Sequence, residues 1–582
     1  MDSFITKSEK RQNFIDIFFG KLYSLRASDA FLMKGALLLT FICILGVLVS
    51  VSTQYTISTP AFGGVLREGI IGTPRFVNPV LAVTRADRDL TALIYDGLMR
   101  LGKDGTLVPN IAESVTISED GLTYNVVLKQ NVYFHDGTKL TAADVAFTAL
   151  RMQDPVIGSP LRANFADIAI EEVGEYELNF VLPEAYAPFI ENLTFGILPE
   201  HTWKDAGVDE FPFSQYNSEA IGTGPYEVQE IIRSASGIPE TYILKAHTGY
   251  HLSQPKIETI ELHFFPTGDK LAQAFNDGVI ESVAGVDMQT LTSYTINDTT
   301  HHIERIPLPR TFALFINQNK TPALRDLAAR QALNIAIQRQ ALVDTTLGGY
   351  GNPLTSPLPF GFGPLITKTT PEESSADRAR DILREGGWKL NTESQLWEKK
   401  IDDTVTPLSF SISTVNTGAF ADTADFLKNA WAGIGAEVIV KQFEQSDLTQ
   451  TIIRPRDYET LLFGMQLGRS LDYYSFWHSS QRNDPGLNIA LYANITTDSI
   501  LSEMRRSTET GTRDAALTKF VEEIEKESPA LFLYSPELLY VFPNRITGAT
   551  WKGVSEPHER WSNVHEWYIQ TEPMWPLFNT QH

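Results

Sequence analysis

Histidine is the side chain best suited to bind a metal or carry a proton near neutral pH, and this chain has 11. None of them stands in a pattern that does chemistry. His558-Glu559 is followed by Trp561 and Ser562, and His565 lies seven residues from His558. A zinc-hydrolase helix needs two histidines four residues apart on one face. His301-His302 are neighbours in sequence, and adjacent side chains do not converge on one ion. His135 stands in a His-Asp-Gly turn and reads as a residue that shapes it. There is no phosphate-cradling loop ending in Gly-Lys-Ser/Thr and no Gly-x-Ser-x-Gly elbow. Gly222-Thr-Gly224 lacks the third glycine and the following helix of a dinucleotide site. Carboxylates are plentiful, but spacing singles out no pair. No cofactor, no metal and no catalytic residue is therefore expected.

The single cysteine, Cys43, lies in the most apolar run of the chain, so no internal disulfide holds the fold. It reads as a small hydrophobe. The small residues that precede a lipid-modified cysteine are missing, since Phe41 and Ile42 stand there. Gly35 to Val51 carries no charge, and the uncharged stretch runs on to Val65. Seventeen residues at ~1.5 Å rise reach ~26 Å, enough for a thin bilayer. Lys7, Lys10, Arg11, Lys21, Arg26 and Lys34 precede the run, and the next basic residue is Arg67. That asymmetry predicts a cytoplasmic segment 1–34, a single transmembrane anchor 35–53, a linker 54–62 and an extracellular or periplasmic body. A cleaved signal peptide, cut near Ser50-Val51-Ser52, is the competing reading. Phe14 to Leu25 is expected as an amphipathic helix on the inner leaflet.

These features belong to a chain of 582 residues, 43% apolar and 20% charged, long enough for two to four compact units. Its net charge of -23 argues against a nucleic-acid partner, which needs a basic patch for phosphates. The body reads as mixed α/β. Strands are expected at Gly64–Gly69, Tyr124–Lys129, Val132–Phe134, Tyr226–Ile232, Ile257–Phe265, Phe312–Asn317, Leu408–Thr414, Val438–Phe443 and Leu531–Tyr534. Helices are expected at Asp87–Leu98, Ala142–Met152, Asp269–Asp277, Leu324–Val343, Ser374–Glu385, Ala419–Ile434 and Ala515–Glu527. Thr141 and Asp144 form a capping-box signature ahead of the second helix.

The order of motifs resembles the peptide/nickel family of bacterial extracellular solute-binding proteins, family five. The segments that carry the resemblance are Ile94-Tyr-Asp-Gly-Leu98, Asp104-Gly105, Leu107-Val-Pro109, Ile111-Ala-Glu-Ser114, Ser118-Glu-Asp-Gly121 and Phe134-His-Asp-Gly-Thr138 through Val145. Gly222-Thr-Gly-Pro-Tyr226, Asp326 to Arg339, and Asn488, Tyr492, Asn494 and Asp498 continue it. Most of these residues make turns and caps and identify a scaffold, with Arg330 and Asp326 expected as an internal ion pair or cap. The resemblance implies two lobes that close on a solute, with hinge strands near Arg310–Asn317 and Pro529–Tyr534. It implies a first lobe over 63–110, 217–311 and 530–582, an inserted subdomain over 111–216 and a second lobe over 312–529. It further implies a monomeric receptor that delivers peptides to the permease of an ABC importer.

In the family's peptide-binding members an aspartate of the second lobe pairs with the peptide amine. The matching segment here is Gly468 to Trp477, in which Arg469 takes the aspartate's place and Asp472 aligns with a turn. An arginine repels an ammonium. Tyr473, Tyr474 and Trp477 are candidates for stacking on a solute, beside Phe476. Arg85 and Asp87, before the first helix, Phe360 in the Pro357-Leu-Pro-Phe-Gly loop, and Asn416 after a strand end complete the expected ligand contacts. The alternatives are an oligosaccharide, a chelate or an anionic solute as cargo, a surface sensor, or a secreted hydrolase.

Overall fold

The computed structural model describes residues 26–55, 57–363 and 375–574. The segment Phe14–Leu25 and residue Ser374 lie outside the described residues. The chain divides into two units, residues 1–62 with 570–582 and residues 63–569. In the first, a 29-residue helix, Ala27–Tyr55, is followed by the strand Ile57–Ala61, which runs antiparallel to Gln570–Met574. The helix leaves Leu38, Leu39, Phe41, Ile42 and Cys43 exposed. Among the described residues no helix is long and apolar enough to cross a membrane, so the spanning helix expected over 35–53 finds no support in the fold itself.

The second unit is built on a twelve-stranded sheet. One half carries Glu437–Phe443, Ser409–Val415, Thr460–Gln466 and Arg310–Ile316, in that order. The other half carries Ser282–Val286, Val65–Ile71, Thr259–Phe265, Pro239–Ala246 and Tyr226–Arg233. The strand Ala530–Pro543 lies between the halves and belongs to both. Its first residues pair with Arg310–Ile316 and its last with Ser282–Val286 and His301–Pro307. Alternation explains the strands: in Thr259–Phe265, Ile260, Leu262 and Phe264 are buried between less buried neighbours. Each such side chain contributes roughly 1.5–3 kcal/mol of apolar burial.

Two lobes follow from this arrangement, each with a core of its own. The chain crosses between them at Pro307–Arg310 and again at Ser535–Glu537. The two crossings touch, because the Ser535 hydroxyl and the Arg310 N–H both donate to the Leu308 carbonyl, at 3.3 and 2.7 Å. The stretches 310–317 and 529–534, where crossing is expected from the sequence, pair inside the second lobe. A separate antiparallel sheet of four strands, ordered Ala112–Ile117, Thr123–Leu128, Glu177–Val181 and Ala169–Gly174, hangs on the first lobe. The helix Ala142–Gln153 accompanies it, opened by the Thr141/Asp144 capping box.

Two expectations fail locally. Val132–Phe134 is no strand; it makes a single bridge, Tyr133 to Lys139. The long helix over 324–343 is three short ones, Pro322–Arg325, Leu327–Ile335 and Arg339–Leu347. Asp326 stops the first and caps the second by accepting from Ala329 N–H at 3.1 Å. Its carboxylate pairs with Lys399 and not with Arg330, whose guanidinium donates to the Leu324, Arg325 and Glu527 carbonyls. The second break places Arg339 inward, where it donates to the Leu354 and Phe532 carbonyls at 2.7 and 2.8 Å.

Candidate functional site

A cavity of about 460 Å³ opens between the lobes. The first lobe supplies Thr91, Tyr95 and Asp96, the inserted subdomain supplies Asn164, Phe165 and Glu191, and the second lobe supplies Gln466 to Arg469. The turn Ser555–Trp561 closes the remaining side. The helix Arg85–Ile94 forms the first-lobe wall. Its N-terminus is fixed by a capping box between Thr84 and Asp87. Its C-terminus is fixed by close backbone approach: a Cβ on Gly222 would lie 2.1 Å from the Ile94 carbonyl oxygen, and Gly224 N–H donates to that oxygen at 2.8 Å. The Gly-Thr-Gly-Pro motif is therefore packing against a helix end.

Arg469, at the end of the strand Thr460–Gln466, spans the gap between lobes. Its guanidinium donates to the Gly553 carbonyl at 3.1 and 3.2 Å, to the Ser555 hydroxyl at 3.2 Å and to Glu559 at 2.8 Å. Glu559 also accepts from the N–H groups of Ser555 and Glu556, at 2.6 and 3.2 Å. Burial alone would raise its carboxyl, yet the Arg469 cation, with His558 and these donors, holds it below the usual range. The Arg469 N–H donates to Glu191 at 3.0 Å. Deeper in, burial pushes Asp96 up to about 7, with the Tyr250 hydroxyl donating to it at 3.4 Å and His251 Nδ1 3.6 Å away.

Of the nine side chains singled out from sequence, only Arg469 lines this cavity. Asp87 is fully buried and spends both oxygens on the N–H groups of Arg75, Phe76 and Thr84. Arg85 points inward and lies 3.6 Å from Asp89. Asp472 accepts from Arg505 at 2.7 Å and from the Tyr186 hydroxyl of the subdomain at 3.3 Å, so it forms a contact between lobes. Tyr473 and Trp477 are core residues, Tyr473 donating to the Pro357 carbonyl at 3.0 Å. Tyr474 stacks on His478, with ring centroids 4.1 Å apart. Phe360 is exposed and stands outside the cavity, as does Asn416, whose N–H donates to Phe443.

The histidines behave as scaffold. His135 bridges the Gly222 N–H and the Gly224 carbonyl, and burial pushes it down to about 3. Among the described residues no three His, Cys, Asp or Glu side chains gather as metal ligands. The residues that sequence reasoning missed are Thr91, Glu191 and Glu559. Tyr95 and Asp96 stand inside the motif Ile94–Leu98, and Glu559 reads in the sequence only as the neighbour of His558.

The oligopeptide-binding protein AppA of Bacillus subtilis is 25% identical over 532 residues, covering 89% of this chain and 94% of that one. Its structure in complex with a nonapeptide superposes with a TM-score of 0.64 at 24% identity, over 88% of this chain and 100% of that one. The nickel-binding periplasmic protein of Escherichia coli is 26% identical over 408 residues, covering 67% and 72% of the two chains. The family model "Bacterial extracellular solute-binding proteins, family 5 Middle" matches residues 106–486. With a two-lobed α/β fold and a cavity at the lobe interface, the chain belongs to the bacterial extracellular solute-binding proteins of family 5.

Proposed function

We propose that this protein is the substrate-binding receptor of an ABC importer, that its cargo is peptide, and that it catalyses nothing. The observation that carries the reading is the interlobe cavity, whose walls come from both lobes. A solute there touches all walls only when the lobes are shut, so binding draws the protein to its closed form, the form a permease would receive. Its size fits the range of sites for small organic ligands. Backbone groups and charges of both signs suit a zwitterionic chain such as a short peptide. AppA, a relative over most of its length, is an oligopeptide-binding protein by name. Native mass spectrometry of the purified full-length chain in detergent tests the cargo. A co-purified ladder of short peptides supports it. A protein that carries none, and whose melting temperature a diverse peptide pool leaves unmoved, sinks it and points to sugars, chelates or anionic solutes.

The helix Ala27–Tyr55 is proposed as an uncleaved membrane anchor with its N-terminus inside the cell. At ~1.5 Å per residue its 29 residues extend about 43 Å. The sequence from Gly35 to Val51 is free of charge, and the Thr40 hydroxyl donates to the Ala36 carbonyl at 2.8 Å, which satisfies it within the helix. Alkaline extraction of membranes should leave the chain in the pellet. Its release into the supernatant would overturn the anchor and leave the receptor reading intact.

A further inference from the structure

The loop Gly468-Arg469-Ser470 gathers hydrogen-bond donors around a carboxylate of the opposite lobe. Glu191 Oε2 accepts from the Arg469 N–H at 3.0 Å, and the neighbouring Ser470 N–H and hydroxyl favour its ionised form. A Cβ on Gly468 would stand 2.6 Å from the same oxygen, so a larger residue here would push the Glu191 carboxylate aside. The Arg469 guanidinium is turned away and engaged with Gly553, Ser555 and Glu559, yet its charge stays close. One bonded N–H, with the N–H and hydroxyl of Ser470 and a cation close by, makes a setting suited to a carboxylate. Glu191 reaches it from the short helix Phe189–Asn192, which is fixed by Phe189 against Tyr124 and Phe180 of the subdomain sheet. Burial pushes the Glu191 carboxyl up despite these donors, so the ion sits there at a cost.

We propose that the loop Gly468–Ser470 is a carboxylate-binding subsite, and that Glu191 fills it as an internal stand-in for a carboxylate of the cargo. The class of cargo follows from the peptide reading: a chain with a free C-terminus or an acidic side chain. Because Glu191 and the loop lie on opposite lobes, this contact also holds the lobes shut. A cargo carboxylate and Glu191 repel one another at one donor set, so cargo enters by exchanging one lobe-bridging contact for another.

The test is chemical rescue in the full-length chain, with one spin label on each lobe to report the interlobe distance. Glu191→Ala should lower the ratio of closed to open molecules about tenfold, the size of a lost charge-assisted hydrogen-bond set. Acetate should restore the closed distance, while acetamide and chloride at equal concentration should not. Glu191→Ala combined with Gly468→Ala should lose the rescue, because the added methyl takes the carboxylate's place. If Glu191→Ala does not fold, Glu191→Gln gives the distance arm alone. An unchanged closed ratio in either variant, or rescue by acetamide as well as acetate, overturns the proposal. None of these readouts uses peptide, so a receptor with other cargo would pass here and fail the peptide ladder.

Discussion

Glu559 and Arg560 are neighbours in one short turn, Pro557–Trp561, and each belongs to a different ionic cluster. Arg560 faces into the first lobe. It is fully buried and bonded to Glu68 at 2.6 and 3.1 Å and to Asp89 at 2.5 and 2.7 Å, with the Tyr540 hydroxyl donating to Glu68 at 2.5 Å. Glu559 faces across the cleft to Arg469. The chemistry is the same, but every charged partner of Arg560 belongs to its own lobe, and the charged partner of Glu559, Arg469, belongs to the other. A buried pair whose geometry never changes is part of the scaffold. Under the proposed closure, a pair split between lobes is made and broken each time, and its free energy biases the open–closed equilibrium as well as the fold.

The largest expected effect separates the two clusters. Arg560→Met should strand two buried carboxylates and cost about 3–5 kcal/mol in urea unfolding. Glu559→Gln should cost less, about 1.5–3 kcal/mol, and should lengthen the mean distance between lobes, read by spin labels. Equal losses for both would erase the distinction. Asp472→Asn weakens a second lobe contact, with Tyr186 and Arg505. It should cost about 1 kcal/mol and speed hydrogen exchange at Ala187, whose N–H donates to the Arg505 carbonyl at 2.8 Å.

The smallest effect concerns pH, behind the cavity. Asp96, pushed by burial from 3.8 up to about 7, takes up a proton on folding, so alone it makes stability fall as pH rises through that window. His251, pushed by burial from 6.5 down to about 3, sheds a proton on folding, so alone it makes stability rise as pH rises from 3 to 6.5. The two slopes oppose between 3.8 and 6.5. Asp96→Asn removes one of them, so its melting temperature should climb more steeply with pH than the wild type's across that interval. Parallel curves would show that the two groups do not share the balance.

The elements legible in the sequence are those set by neighbours in the chain. Thr141 and Asp144 announce their helix because the capping box is a three-residue signal. The periodicity of 324–343 hides two breaks, because Asp326 and Arg339 answer to partners far away: Trp388 and Lys399 for the first, Leu354 and Phe532 for the second. The strand expected at 531–534 is the first part of a longer one, Ala530–Pro543. In the fold the strand runs on through Ser535-Pro536, which pair with Asn352 and Gly351, and it changes partners there before continuing to Pro543. The site divides likewise. Arg469 is marked by its motif, but Glu191 is 278 residues from it and Glu559 is 90, distances at which spacing carries no signal. Tyr473 and Trp477 resemble stacking aromatics in sequence, and only packing shows them to be core.

The strand Ala530–Pro543 pairs in the sheets of both lobes, yet it follows every other strand of those sheets in the chain. In a polypeptide that emerges N-terminus first, the strands on both sides of it wait, unpaired along one edge, until its last residue is free. The lobes consequently mature together and not in turn. A chain that ends anywhere before residue 530 loses a ladder of both lobes at once, so early termination yields two unfinished sheets and no surviving half-receptor.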